Sequence, residues 1–191
     1  MKTEFEVRQL EISFDDMIKR IEAIGAKRVG IYYQKRYVYD FNPAQKGRWI
    51  RLRNNGVETT LTIKEIKSSN VDGTKELEVI VSNFEDTNEI LDKLGYVPRT
   101  YQENFRIEYK FDGVNFDLDK WPMIPAYLEI EGNSEKEVLD MLKKLKIEFS
   151  DVTAIDVDKI YKEKYGIDLD EIEILKFNKE EELFISQYME N

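Results

Sequence analysis

Neither cysteine nor histidine occurs among the 191 residues. Without cysteine there can be no disulfide framework, thiolate metal site or thiol nucleophile, and without histidine no imidazole base or ligand. Any chemistry must therefore fall to carboxylates, Lys, Arg, Tyr, Ser or Thr. No apolar run approaches the ~20 residues of a membrane span, and Met1-Lys2-Thr3-Glu4 leads into an alternating segment rather than a signal peptide. A soluble, cytoplasmic protein with no membrane partner is expected. Neither common glycine-rich phosphate loop is present, which removes the usual helix-N-terminus solution to phosphate binding. The net charge of −10 weighs against wholesale wrapping of nucleic acid, yet an acidic chain can still gather basic residues in one cavity. At this length one domain is the default, burying roughly 70% of its unfolded surface in one core.

What the chain does contain is two-residue alternation, repeated almost throughout, which assigns one set of side chains to each face of a strand. Strands are predicted at 3–10, 28–41, 48–54, 57–66, 74–81, 97–111, 114–120 and 126–131. Asn54-Asn55-Gly56 and Asp112-Gly113 read as hairpin turns, so pairing should be mostly antiparallel. Three amphipathic helices are expected: Phe14 to Ile24 ending at Gly25, Phe84 to Leu94 ending at Gly95, and Ser134 to Leu145, capped by Ser134 and Glu137. Residues 156–190 read as short charged helices without a strong stripe, an appendage or a lid over residues 167–191 rather than a second domain. There is also an internal echo. Glu4-Phe5-Glu6-Val7, a helix, Gly25 and Arg36 parallel Glu76-Leu77-Glu78-Val79, a helix, Gly95 and Arg106, as two half-barrels joined in one sheet would.

The polar faces carry ionisable groups at nearly every position. Glu4, Glu6 and Arg8 share a face, as do Glu129 and Glu131; Arg51 and Arg53 oppose Ile50 and Leu52, and Lys64 opposes Leu61 and Ile63. Arg106, Glu108 and Lys110 oppose Phe105, Ile107 and Tyr109, while Asp117 and Asp119 oppose Phe116 and Leu118. One such strand alone is an ordinary solvated surface. Together they are sorted by sign and rich in arginine, whose planar fork suits phosphate. The helices need the Phe/Ile/Leu faces to cover, which turns the charged faces inward. A barrel of about eight strands holds one small ligand, and a charged interior is prohibitive without counter-charge. A highly charged ligand resolves this, and clustered Glu and Asp oxygens select a hard cation, Mg²⁺ or Mn²⁺.

The ordered set Glu4-x-Glu6-x-Arg8, Arg51-x-Arg53, Lys64, Arg106, Asp119 and Glu129-x-Glu131 resembles the CYTH superfamily of triphosphate tunnel metalloenzymes, over roughly residues 1–165 including Tyr161 to Gly166. The resemblance implies an α+β protein with a closed eight-stranded antiparallel β-barrel and helices outside. It divides the chain into a tunnel domain, 1–166, and a C-terminal helical extension of it, 167–191. It implies that Glu4, Glu6, Glu129 and Glu131 bind the divalent metal, helped by Asp119 or its face-mate Asp117. Arg8, Arg51, Arg53, Lys64 and Arg106 would grip the triphosphate, and Glu4, Glu6, Lys64 and Arg106 would carry catalysis. The family's opening lysine is Arg8 here. A basic residue common in the family two positions before Arg106 is Asn104 here, a contact that Lys110 could supply.

The activity implied is metal-dependent hydrolysis of a small-molecule triphosphate: tripolyphosphate, a nucleoside triphosphate or thiamine triphosphate. The alternatives are a class IV-type adenylate cyclase and a non-catalytic module for polyphosphate or triphosphorylated RNA ends. The cyclases' His-Phe element before the acidic motif is missing, which favours hydrolysis. Nucleic acid is otherwise not expected, and a monomer or homodimer is admissible. Tyr32, Tyr33, Tyr37 and Tyr39 are read as strand aromatics rather than a base-stacking platform, Trp121-Pro122 as a loop former, and Lys143, Lys144 and Lys146 as a solvated helix end. Glu76 and Glu78 either join the acidic interior or lie outside it, and are not counted as ligands.

Overall fold

A computed structural model describes residues 1–68 and 70–189. Glu190 and Asn191, the end of the expected extension, lie outside the described residues. The elements are β1 (Lys2–Gln9), α1 (Phe14–Ala23), β2 (Lys27–Asp40), β3 (Arg48–Asn54), β4 (Thr59–Ile66), β5 (Thr74–Val81), α2 (Phe84–Lys93), β6 (Thr100–Phe111), β7 (Val114–Lys120), β8 (Tyr127–Gly132), α3 (Glu135–Lys144), α4 (Val157–Lys159) running into a π-helical segment (Ile160–Lys164), β9 (Ile174–Leu175) and α5 (Lys179–Met189). Strands β2-β3-β4-β5-β1-β8-β7-β6 pair antiparallel in that order, and β2–β6 closes the ring into an eight-stranded barrel. The two-residue strand β9 adds to β6 in parallel.

Local chemistry sets the boundaries. The β3–β4 turn is held by Asn54 and Asn55, whose side-chain oxygens accept from Gly56 N at 3.0 Å and Val57 N at 2.9 Å. Asp112 and Gly113, both at positive φ, close the β6–β7 hairpin with the twist its strands need. Ser13, Asn83 and Ser134 cap α1, α2 and α3 through Asp16, Asp86 and Glu137 backbone N–H groups. Strand β6 starts at Thr100 rather than at residue 97, since Pro98 cannot donate to a ladder.

The apolar faces point outward beneath the helices. Phe105, Ile107, Phe116, Leu118, Leu128 and Ile130 from β6–β8 pack with Phe14, Met17 and Ile21 of α1 and Val138, Met141 and Leu142 of α3. A smaller cluster puts Phe84 and Leu91 of α2 over Tyr39, Ile50 and Leu52. A third, with Trp121, Tyr127, Ile160, Tyr161, Leu169 and Leu175, seats the C-terminal segment against the barrel. Helix α5 lies outside as well: Phe184 and Tyr188 pack on Phe14 at 5.4 and 5.2 Å between ring centres. Within the segment expected as a lid, 167–191, α5 packs on α1, and among the described residues none of the segment lines the barrel interior. The segment that does reach the interior is Asp156–Asp158, brought in after Thr153 pairs with Arg8 of β1.

The internal echo is borne out by the topology, β-α-β-β-β twice over, with its register corrected. Helices α1 and α2 have ten residues each and start at Phe14 and Phe84, a displacement of 70 that also relates Gly25 to Gly95 and Arg36 to Arg106. Under it the β2–β6 ladder maps onto itself, Arg36↔Gln102 becoming Tyr32↔Arg106, with the two-fold axis through the pair Gln34↔Asn104. The carboxylate mates are then Glu6 and Glu76, not Glu4 and Glu76.

Candidate functional site

The inward faces enclose a cavity of about 620 Å³, the size of a small-ligand site. Because a closed antiparallel sheet sends alternate residues inward, its lining is read off the registers: Glu4, Glu6 and Arg8 from β1, Arg36 from β2, Arg51 and Arg53 from β3, Lys64 from β4, Glu76 and Glu78 from β5, Arg106 and Glu108 from β6, Asp117 from β7, and Glu129 and Glu131 from β8.

Carboxylates crowd the β1–β8–β7 wall, where two arginines hold them. Arg8 Nη2 bridges Glu6 at 2.9 Å and Glu129 at 2.6 Å, and its Nη1 donates to the Ile155 carbonyl at 2.9 Å. Arg106 binds Asp119 through Nε at 2.9 Å and Nη2 at 2.5 Å, reaches Glu129 at 3.3 Å, and pairs with Asp117. Negative charge still exceeds its local counter-charge. Burial drives the Asp117 carboxyl well above the usual range, and Asp119, Glu129 and Glu108 add to that against the pull of Arg106. The Asp117 Oδ1 is buried with no hydrogen-bond partner. Glu4 is pushed up to about 7 by burial and by Glu76, Glu6 and Glu131, which outweigh Lys64. Glu129 is buried too, yet Arg8, Arg106 and Lys64 hold it down to about 2.

Among the described residues no three carboxylates converge as a ready-made metal cage. The donor set nevertheless fits a hard divalent cation: carboxylate oxygens only, an orphaned Asp117 oxygen, and an uncompensated negative charge that a cation would relieve.

Cations line the β2–β3–β4 wall across the tunnel. Lys64 sits between Glu76 at 2.8 Å and Glu4 at 3.2 Å; burial and Arg51 work against its charge, but the two carboxylates leave its pKa raised. Arg51 lies 3.2 Å from Glu78 and 3.6 Å from Glu76, and Arg53 lies 3.5 Å from Glu78. Neighbouring Arg51 and burial bring Arg53 down to about 10. Arg36 is the extreme case, buried with neutral partners: Nη2 donates to Gln34 Oε1 at 3.1 Å and to Asn104 Oδ1, and the guanidinium lies 4.5 Å from the Trp121 ring.

This arrangement is matched by the CYTH domain profile, which spans residues 2–162. The chain belongs to the CYTH domain family. Among solved structures, the CYTH barrel described above is similar to the PH1012 protein from Pyrococcus horikoshii, 27% identical over 80% of this chain and 96% of that one, with a TM-score of 0.69. It also shares its fold with a candidate adenylate cyclase from Vibrio parahaemolyticus, 12% identical over 84% and 98% of the two chains at a TM-score of 0.72. The third is HpAC1 from Hippeastrum, a candidate adenylyl cyclase reported with a dominant triphosphatase activity, 15% identical over 87% and 96% at a TM-score of 0.56. No curated protein sequence matches the chain. Among the described residues no helix is long and apolar enough to cross a membrane.

Of the residues singled out in sequence, Glu4, Glu6, Arg8, Arg51, Arg53, Lys64, Arg106, Asp117, Glu129 and Glu131 all line this CYTH cavity. Two do not. Asp119 is fully buried in the wall, accepting from Arg106 and from Asn104 Nδ2 at 3.0 Å. Lys110, next to last in β6, is exposed to solvent outside the lining, so it does not stand in for a cation at Asn104. Glu76 and Glu78, left undecided by the alternation, line the cavity. Arg36, expected only as a member of the internal echo, and Trp121, expected as a loop former, line it as well. Three of the aromatic run share the outer face of β2: Tyr37 and Tyr39 face α2, with Tyr37 stacked on Phe84 at 5.3 Å and Tyr39 donating to Asn88 at 2.8 Å, and Tyr33 packs on Phe177 and donates to Glu103 at 2.8 Å.

Proposed function

We propose that this CYTH protein is a divalent-metal-dependent triphosphate phosphohydrolase. The observation that carries the reading is the separation of charge across one cavity, carboxylates in excess on β1, β7 and β8 facing cations on β2, β3 and β4. A polyphosphate chain bearing a metal ion is complementary to both walls at once. Glu4, Glu6, Glu129 and Glu131 would hold Mg²⁺ or Mn²⁺, with Asp117 rather than Asp119 assisting because only Asp117 reaches the cavity surface. When bound, the cation supplies Lewis-acid stabilisation of phosphoryl oxygens and orients a water.

The side chains do the remainder. Arg51, Arg53 and Lys64 take the phosphate oxygens in bidentate or point contacts, drawing away from Glu76 and Glu78 as they do so. Arg106 and Arg8 fix the orientation of the carboxylates, and Arg106 offers its partly open face to charge developing during in-line displacement. The fold, which pre-places these donors on rigid strands, keeps reorganisation small. The dominant triphosphatase activity of HpAC1 on the same fold is in keeping with this reading.

The test is turnover of tripolyphosphate, ATP and thiamine triphosphate with Mg²⁺ or Mn²⁺, assaying orthophosphate and cyclic AMP together. Orthophosphate release without cyclic AMP is the expected result. Cyclic AMP with diphosphate would replace hydrolysis by cyclisation, and metal-independent binding without turnover would reduce the protein to a polyphosphate-binding module.

A further inference from the structure

Arg36 differs in its partners from the other cations on the barrel strands. Arg8 and Arg106 are clamped by carboxylates, Lys64 and Arg51 share Glu76, and Arg53 approaches Glu78. Around Arg36, among the described residues, no carboxylate comes within ion-pair distance: its acceptors are the two amide oxygens of Gln34 and Asn104, and Asp119 and Asp158 act on it only from farther away. Cations act on it more strongly than carboxylates do. Arg53 is its direct cross-strand partner, and Arg51 and Arg106 complete the surroundings. The residue is 7% exposed, its Nε has no acceptor, and it lines the cavity.

A buried guanidinium among three others is a costly arrangement, because desolvation is not repaid by any ion pair. The fold keeps it in place nonetheless. The Trp121 ring beneath it and the amide oxygens beside it fix the plane of the guanidinium, as a pre-organised anion receptor requires.

We infer that Arg36, with Arg53, forms a phosphate subsite of the tunnel, separate from the carboxylate wall, which grips the end of a polyphosphate chain remote from the metal. This rests on the triphosphate reading above and deepens it: the ligand must carry enough negative charge to satisfy this subsite in addition to the metal-bearing one. Arg36 supplies from β2 a cation at the place where β6 offers only Asn104, the residue to which its Nη2 is hydrogen-bonded.

The experiment is calorimetric titration of the full chain with tripolyphosphate in metal-free buffer, beside the thermal melting of the ligand-free proteins. Arg36→Gln should weaken binding at least about tenfold, the loss of a charge-assisted contact, while raising the melting temperature of the free protein by a few degrees because like-charge repulsion is relieved. Adding Asn104→Lys to that variant should recover most of the affinity by returning a cation from the paired strand. Unchanged binding in Arg36→Gln overturns the subsite and leaves the hydrolase reading intact. Lost affinity with a lowered melting temperature and no recovery makes Arg36 a strut on Trp121, which also overturns it. A wild-type chain that does not bind tripolyphosphate without metal overturns the subsite, and one that does not bind it with Mg²⁺ either removes tripolyphosphate from the hydrolase reading as well.

Discussion

The two halves of the barrel share a frame and invert its charge. Under the 70-residue displacement Arg36 and Arg106 are mates, and the registers carry the relation onward to β3 and β7, then to β4 and β8. Arg36 pairs with Arg53 where Arg106 pairs with Asp119; Val38 with Arg51 where Glu108 with Asp117; Trp49 with Lys64 where Asn115 with Glu131. Three positions that are basic in the first half are thus acidic in the second. The same arginine, at equivalent places in one closed sheet, is clamped by Asp117 and Asp119 in one half and left among cations in the other. Fold alone therefore does not decide what the position does. Its neighbours one strand away turn one half into a site that wants a cation and the other into a site that wants an anion, and a metal-polyphosphate is both.

The largest effect that would break this comparison is on stability. Replacing Arg106 with Met strips the partner from Asp117 and Asp119 while leaving both buried, and removing one member of a buried ion cluster costs about 3–5 kcal/mol. Arg36→Met, at the mate position, strips nothing that is charged and should cost nothing or stabilise. Denaturant unfolding of the two variants at pH 8 measures the contrast directly. Equal destabilisation by both would show that the charge inversion has no energetic meaning and that each arginine is held by packing alone.

Much of this was legible beforehand. Period-two alternation is a geometric property of any strand, so which residues face inward in β1, β3, β4, β7 and β8 followed from the sequence once the helices were recognised as covering the apolar faces. Depth was less accessible. Asp117 and Asp119 have the same parity, and only the closed barrel shows Asp119 withdrawn behind Arg106; Lys110 likewise has the right parity but falls at the end of β6, beyond the cavity. Glu76 and Glu78 were ambiguous because parity fixes a face without saying which face is inside. Arg36 was hidden by its surroundings: Lys35-Arg36-Tyr37 shows no contrast of type, and apart from Gln34 its environment is made by residues at least 15 positions away. The C-terminal segment gave no stripe to read because it packs through a few aromatic side chains, Phe177 on Tyr33 and Phe184 and Tyr188 on Phe14, rather than through a periodic face.

A second prediction sharpens the acidic half. Glu6 accepts from Thr74 and pairs with Arg8, so Glu6→Gln keeps the shape and the hydrogen-bonding capacity of the side chain but removes one charge from the proposed metal set. Turnover with Mg²⁺ should fall about a hundredfold or more, with the melting temperature near that of wild type, as read by steady-state phosphate release beside calorimetry. The metal-free affinity for tripolyphosphate should hold or rise, since a negative charge has been taken from the tunnel. Wild-type rates in this variant would remove β1 from the site and leave the inversion between halves without a catalytic consequence.

The smallest expected effect concerns pH. Burial and the crowding of Glu76, Glu6 and Glu131 raise Glu4 to about 7, above its ordinary value of 4.5. A raised carboxyl is protonated in the fold and ionised in the unfolded chain between those two values, so in the free protein its contribution to stability falls as pH rises from 4.5 to 7 and is level above 7. A cation takes only the carboxylate. Below pH 7 each binding event must therefore release a proton, and Mg²⁺ affinity should drop about tenfold per pH unit toward 4.5, flattening above 7. Glu76, which Lys64 and Arg51 hold down to about 2 despite its burial, stays ionised across this window and adds no slope. Mg²⁺ titrations at pH 6, 7 and 8 should show the bend, and Glu4→Gln should flatten it. A slope that persists in Glu4→Gln would move the proton to Asp117, still within the acidic half, whereas no slope in the wild type would mean that the carboxylates of that half are already ionised by Lys64, Arg8 and Arg106 and need no metal to balance them.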